Sequence, residues 1–198
     1  AAENRPVGRT ALIDLLWDDT DEVDHRSALR TALSRLRSEL PDEEILQTEL
    51  DQVWLDENRY WSDLVHFRSS YASLKNVLRN YQKRPTLLGQ IVTQIEEALA
   101  LWRGDAILQG ENLSSYPEIE NWQRSIYREV AHQRRTLMEK LANHYRATGR
   151  LEQALDLFIQ LGKMDLFDVM CHLSVLDILT RMRRFQEVVE YCDALEIA

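Results

Sequence analysis

The chain has 198 residues, 44% apolar and 29% charged, and a net charge of −9. These are the proportions of an ordinary globular protein with room for one large or two small cores, and its longest apolar runs are far too short to span a bilayer. An acidic chain is a poor overall match for nucleic acid, so any such role depends on local sorting of charge. Six Gly and four Pro are few, and long apolar-periodic segments dominate, so the expected class is mainly α. The opening Ala1-Ala-Glu-Asn-Arg-Pro6 has no signal-peptide character, which predicts a cytoplasmic protein. Cys171 and Cys192 fall in helical patterns without metal-ligand spacing and are expected to be buried, reduced thiols.

After a turn-like Arg5-Pro-Val-Gly8, Leu12, Ile13, Leu16 and Trp17 recur at helical spacing over Arg9–Trp17. The acidic connector Asp18–Asp24 supplies N-cap candidates for the next helix. That helix, His25–Leu40, puts Leu29, Leu33, Leu36 and Leu40 on one face and stops before Pro41. Arg26, Arg30 and Arg37 lie along one flank and Arg35 along the other, with Ser27, Thr31, Ser34 and Ser38 opposite the leucines. Between Arg26 and Ser38 there are four arginines and no carboxylate, although residues 1–64 hold 7 Arg and 16 Asp/Glu and so carry the whole net charge. One side of such a helix packs, and the other can approach phosphates because its outermost side chains are short. Two β-prone runs, 45–48 and 53–55, then read as a hairpin turning near Leu50-Asp51-Gln52. Helix, turn, basic helix, hairpin is the order of the second half of a winged helix-turn-helix.

A helix is predicted from Tyr60-Trp-Ser-Asp63 to about Asn80, broken at Lys83-Arg-Pro-Thr86. Thr86 is the expected cap of a helix reaching Trp102, and Arg103 to Pro117 reads as a loop. Glu118 to Thr148 is one long helical pattern closed by Gly149. Leu141-Ala-x-x-Tyr145, Gly149, Leu151 and Ala154-x-x-x-Phe158 recur 34 residues on as Val175-Leu-x-x-Leu179, Arg183, Phe185 and Val188-x-x-x-Cys192. That period is the tetratricopeptide (TPR) one, so the C-terminal part is expected to be TPR-like helical repeats. A concave groove there would be lined by Glu139, Asn143, Arg146, Asp177 and Arg181 and would take a peptide.

Arg9-x-x-Leu12-x-x-Leu15-Leu16-Trp17-x-Asp19, followed by Leu29-x-x-x-Leu33-x-x-Leu36-Arg37-x-x-Leu40, resembles the DNA-binding domain of SARP-type bacterial antibiotic-pathway activators, in the OmpR-like winged-helix superfamily. Asp63-x-x-x-Phe67 and Ala98-Leu-Ala-Leu-Trp-Arg-Gly-Asp105 resemble the bacterial transcriptional activator domain that follows it in that family. The resemblance implies a partial winged helix over 1–60 and the activator domain with TPR-like repeats over 61–198. It assigns buttress duty to Arg9–Trp17, major-groove contact to Arg26, Arg30, Thr31, Ser34 and Arg37, and the wing to 45–56. The implied partners are double-stranded DNA, RNA polymerase or another protein, and a second copy in a homodimer. The family's first strands and helix have no counterpart here, so the resemblance also implies a piece of a longer protein.

No catalytic constellation accompanies these features. His25, His66, His132, His144 and His172 are scattered, no Gly-rich phosphate loop or nucleophile elbow is present, and no cofactor, metal or enzyme activity is expected. The five tryptophans are spaced as core anchors, and Arg124, Arg128 and Arg135 share a solvated helix face. The chain is thus expected to be a DNA-binding transcription regulator. The alternative is a TPR-like protein-interaction module whose winged helix does not bind DNA, a reading that the acidic Glu49 and Asp51 at the wing tip favour.

Overall fold

Eight residues after Gly8 coil into helix α1 (Arg9–Leu16), the first element of a mainly helical chain that also holds one three-stranded antiparallel sheet. A computed structural model describes residues 6–17, 24–80, 86–104 and 116–197. The acidic connector up to Val23, the break at 81–85 and most of the expected loop after Arg103 lie outside the described residues. Two compact units form, 1–66 with 103–129 and 67–102 with 130–198. The expected boundary near residue 60 falls close to the first crossing, but part of the later chain belongs to the first unit.

In the first unit, β1 (Val7–Gly8) precedes α1, and α2 (His25–Glu39) follows it. Asp24 caps α2, its Oδ1 accepting the Ser27 N–H at 3.3 Å and satisfying one of the orphan donors of the first turn. After a short 3-10 turn at Glu43–Ile45 come β2 (Leu46–Glu49) and β3 (Gln52–Leu55). Their register pairs Leu46 with Leu55 and Glu49 with Gln52, leaving a two-residue turn at Leu50-Asp51. Leu50 takes a φ of 36°, which a tight hairpin turn of this hand requires and a branched side chain disfavours.

Pro6-Val-Gly was expected to be a turn, but Val7 and Gly8 pair with Val53 and Gln52 at the free edge of β3. The sheet order is therefore β1-β3-β2. A two-residue strand has no periodicity to read, and only the unpaired donors and acceptors of β3 call it into being. Leu29, Ile45, Leu46 and Val53 are buried in this unit.

The helices α3 (Asp63–Asn80) and α5 (Pro117–Ala147) each begin in the first unit and run into the second. Thr86, expected as a helix cap, lies outside α4 (Gly89–Ala100), whose N-cap is Leu88 with no side-chain bond. The loop before α4 is held instead by Leu87, whose buried N–H donates to His144 Nδ1 at 3.0 Å. Ile91, Val92, Ile95 and Ala98 of α4 are buried in the second unit's core, as are Leu137, Met138, Leu141 and Tyr145 of α5.

The 34-residue repeat is visible in the backbone. Gly149 (φ 79°) separates α5 from α6 (Leu151–Met164), and Arg183 (φ 59°) separates α7 (Val169–Arg181) from α8 (Phe185–Ile197). Arg150 N–H donates to Tyr145 O at 2.9 Å, and Arg184 N–H donates to Leu179 O at the same distance. The Thr148 and Met182 N–H groups likewise both reach a carbonyl four residues back at 3.0 Å. The second copy lacks the glycine yet makes the same left-handed helix stop, because these i→i−5 bonds satisfy the last carbonyls in both.

Candidate nucleic-acid interface

Helix α2 presents Arg26, Arg30, Thr31, Ser34 and Arg35 to solvent. Leu29 is only 2% exposed and anchors the helix, with Arg26 and Arg30 flanking it and Thr31 and Ser34 farther round. The apolar stripe is narrower than expected: Leu33 and Leu40 are half-buried, and Leu36 is 45% exposed. No ion pair joins Arg26, Arg30 or Arg35 to another described residue. Thr31 Oγ1 donates its proton to Ser27 O at 3.0 Å, so toward any ligand it acts as an acceptor with a methyl group beside it.

Arg37, also expected at the major groove, is engaged by the hairpin. It is half-buried, and its Nη2 donates to Leu46 O at 3.1 Å and to Thr48 Oγ1 at 3.0 Å. The guanidinium ties the last turn of α2 to β2 and fixes the angle between helix and hairpin. The spacing that set Arg37 on the arginine flank was right, but the hairpin that captures it lies outside any helical-wheel argument.

Charge within this unit is sorted. Arg59 gathers Asp42 at 2.8 Å, Asp56 at 3.6 Å and Glu44, so three carboxylates share one guanidinium. The Asp42 carboxyl is held below its ordinary range by the Glu44 backbone N–H first and by Arg59 second. The hairpin tip is acidic and apolar: Glu49, Leu50 and Asp51 are exposed, Leu50 at 91%. Negative charge is thus exposed at the hairpin tip and positive charge along α2.

The five residues expected to line a groove form two local sets. On α5, Asn143 Nδ2 donates to Glu139 O at 2.8 Å and its Oδ1 accepts from Arg146 Nη2 at 2.7 Å. Arg146 Nη1 donates to Ser174 Oγ on α7 at 3.2 Å, and its guanidinium lies 5.4 Å from the centre of the Phe158 ring. Glu139 pairs with Arg135 at 2.9 Å. Asp177 and Arg181 pair with each other at 3.1 Å along α7. Arg146 thus bridges two helices, and most of the polar capacity of this set is used inside the chain.

Other expectations are redistributed. Cys171 is buried, but Cys192 is exposed. The Cys171 thiol is pushed up to about 12 by burial and by the Asp168 carboxylate it donates to at 3.1 Å, so it is no nucleophile. Among the described residues, no group of three His, Cys, Asp or Glu side chains is arranged to hold a metal ion, and no helix is long and apolar enough to cross a membrane. None of the five tryptophans is fully buried, and Trp61 is 53% exposed, with the His66 ring 5.3 Å away and the Arg103 guanidinium 5.4 Å away. Of the arginines along the long helix, Arg124 pairs with Glu120, and Arg135 is held by Glu139, Asp165 and Asp168.

No protein-family model and no curated protein matches the chain.

Proposed function

We propose that the chain is part of a cytoplasmic DNA-binding transcription regulator of SARP type, with α2 as the helix that enters the major groove. The observation that carries this reading is the exposed flank Arg26–Arg30–Thr31–Ser34, whose arginines pair with no carboxylate among the described residues, on a helix anchored by Leu29 and tied to a hairpin by Arg37. The strand that leads into α1 and the sheet order β1-β3-β2 also suit a winged helix. Arg26 and Arg30 reach phosphates or guanine edges. Thr31, an acceptor because its own proton goes to Ser27 O, faces an amino group of adenine or cytosine. The wing adds little affinity, since its tip carries Glu49 and Asp51. The TPR-like repeats would handle protein contacts, RNA polymerase among them.

Duplexes selected from a random pool by the full chain, followed by anisotropy titration over a salt series, test this. Arg30→Ala should weaken binding by about 1–3 kcal/mol and flatten the salt slope by about one ion. An unchanged affinity and slope would remove α2 from the interface. The second reading, a TPR-like interaction module whose winged helix contacts protein, is favoured by the acidic, apolar hairpin tip. It predicts that no duplex is selected at all.

A further inference from the structure

At the start of α7 the surface is apolar in a way the repeat does not require. Leu166 is 50% exposed, Phe167 94%, Val169 64%, Met170 71% and Leu173 53%. Val169, Met170 and Leu173 fall within an arc of about 100° on the helix, and Leu166 and Phe167 lead into it. At roughly 200 Å² for a fully exposed side chain of this size, the five present about 600 Å², a patch of the size that monomers keep for binding. The first copy of the repeat shows what such a face receives. Thirty-four residues earlier its positions are His132, Gln133, Arg135, Thr136 and Glu139, all polar. There it is met by α7: Arg135 pairs with Asp165 and Asp168 at the head of α7, and Arg146, two turns past Glu139, donates to Ser174 Oγ at 3.2 Å. A helix seated on α7 as α7 is seated on α5 would meet Val169 in place of Arg135 and Leu173 in place of Glu139. Its contact is apolar where the first is ionic.

Charge decides which helix fits. Residues 151–198 hold 9 Asp/Glu and 4 Lys/Arg. Beside the apolar face, Glu139, Asp165 and Asp168 share the one guanidinium of Arg135, and with Lys163 of α6 counted the border is still net negative. Asp177, farther along α7, is paired with Arg181. Such a border repels a copy of itself and the phosphates of nucleic acid, and it attracts Lys and Arg. The surface is also held rigid. Phe167 N–H donates to Asp165 Oδ1 at 3.0 Å and Val169 N–H to Phe167 O at 2.9 Å. His172 Nε2 lies 3.0 Å from Leu166 O, and its Nδ1 lies 2.8 Å from Tyr191 Oη. A large ring on a turn ordered in this way loses little entropy on docking.

We infer that this face binds an amphipathic helix of another protein, one whose apolar stripe is flanked by Lys and Arg. The stripe lies against Phe167, Val169, Met170 and Leu173 with anchors at i, i+4 and i+7, and the basic flank faces Glu139 and Asp165. This rests on the repeats' role in protein contact and is independent of the duplex reading of α2.

Anisotropy titration of the full chain, without DNA, against three labelled peptides of about four helical turns tests this. The first is built of Leu, Ala and Lys with its leucines on one helix face. The second has the same composition with the leucines scattered all round, and the third has Glu in place of Lys. The first should bind with a Kd of about 10–100 μM and at least about tenfold more tightly than either of the others. Phe167→Ser/Met170→Ser should weaken it at least about tenfold while far-UV circular dichroism stays unchanged, because both side chains are exposed. Glu139→Gln/Asp165→Asn should weaken it about threefold and reduce its salt dependence. Phe185→Ser/Val189→Ser, on exposed apolar positions of α8, should leave it intact. Equal binding of the scattered peptide, indifference to the α7 variant, or equal loss in the α8 variant overturns the inference. Preference for the Glu peptide overturns the basic partner but keeps the protein contact, and no binding of any of the three at about 200 μM overturns both. A chain whose dimerisation in sedimentation equilibrium is lost in the α7 variant assigns the face to a second copy and overturns the inference as well.

Discussion

Two residues a repeat apart do the same backbone work with unequal ease. Gly149 at φ 79° has no Cβ to clash, whereas Arg183 at φ 59° does, and the left-handed region costs an L-residue about 1 kcal/mol or more. Arg183→Gly should therefore stabilise the chain by about 1 kcal/mol, read as a higher urea midpoint at unchanged slope. A lower midpoint would mean that the Arg183 side chain contributes more than its backbone strain removes. His144 is a second case. Burial first, then the positive charge of Arg150, holds its imidazole below the ordinary value of 6.5, while Glu96 pulls the other way. Its Nδ1 accepts the Leu87 N–H, which only an unprotonated nitrogen can do. The folded state thus binds the proton more weakly than the unfolded chain, so this stabilisation is complete above pH 6.5 and is lost as pH falls below it. His144→Asn keeps an acceptor near Nδ1 without titrating. Its melting temperature should fall less than that of the wild type between pH 7 and 5, and parallel curves would rule His144 out as the cause.

Among elements, the joint between α2 and the hairpin decides what the arginines of α2 do. Three of the four, Arg26, Arg30 and Arg35, are exposed, and Arg37 is turned inward to Leu46 and Thr48. Arg37→Ala should speed amide exchange in Leu46–Glu49 and lower duplex affinity while leaving the salt slope intact, in contrast to Arg30→Ala. A slope reduced by about one ion would show Arg37 on a phosphate after all. The existence of α2, its capping by an Asp and its anchored leucine face were legible because each rests on local spacing. The fate of Arg37 was not, since its partners are a carbonyl and a hydroxyl 9 and 11 residues away. Likewise Thr86 has the chemistry of a cap, but α4 starts after it, with His144 from α5 holding the preceding loop by the Leu87 N–H.

For the molecule as a whole, charge and apolar surface are divided between different jobs. The whole net charge lies in residues 1–64, yet within them Arg59 collects three carboxylates and, among the described residues, Arg26, Arg30 and Arg35 of α2 pair with none. A chain can therefore be acidic overall and still offer a phosphate-facing helix, because screening confines the field to about 10 Å at ordinary salt. The apolar face at the start of α7 belongs to the other unit.

Taken alone, the sequence determined the helical class, the hairpin and the 34-residue repeat, for these follow from periodicities of two, 3.6 and one repeat that are local by nature. It also marked Arg26, Arg30, Thr31 and Ser34 as the outward side of their helix. Only the tertiary structure decided that Val7-Gly8 becomes a strand, that Arg37 turns to the hairpin, and that Arg146 reaches Ser174 on α7. It also left Phe167 and Met170 in water. Each of those outcomes depends on which distant group arrives as a neighbour, and no window along the chain contains that neighbour.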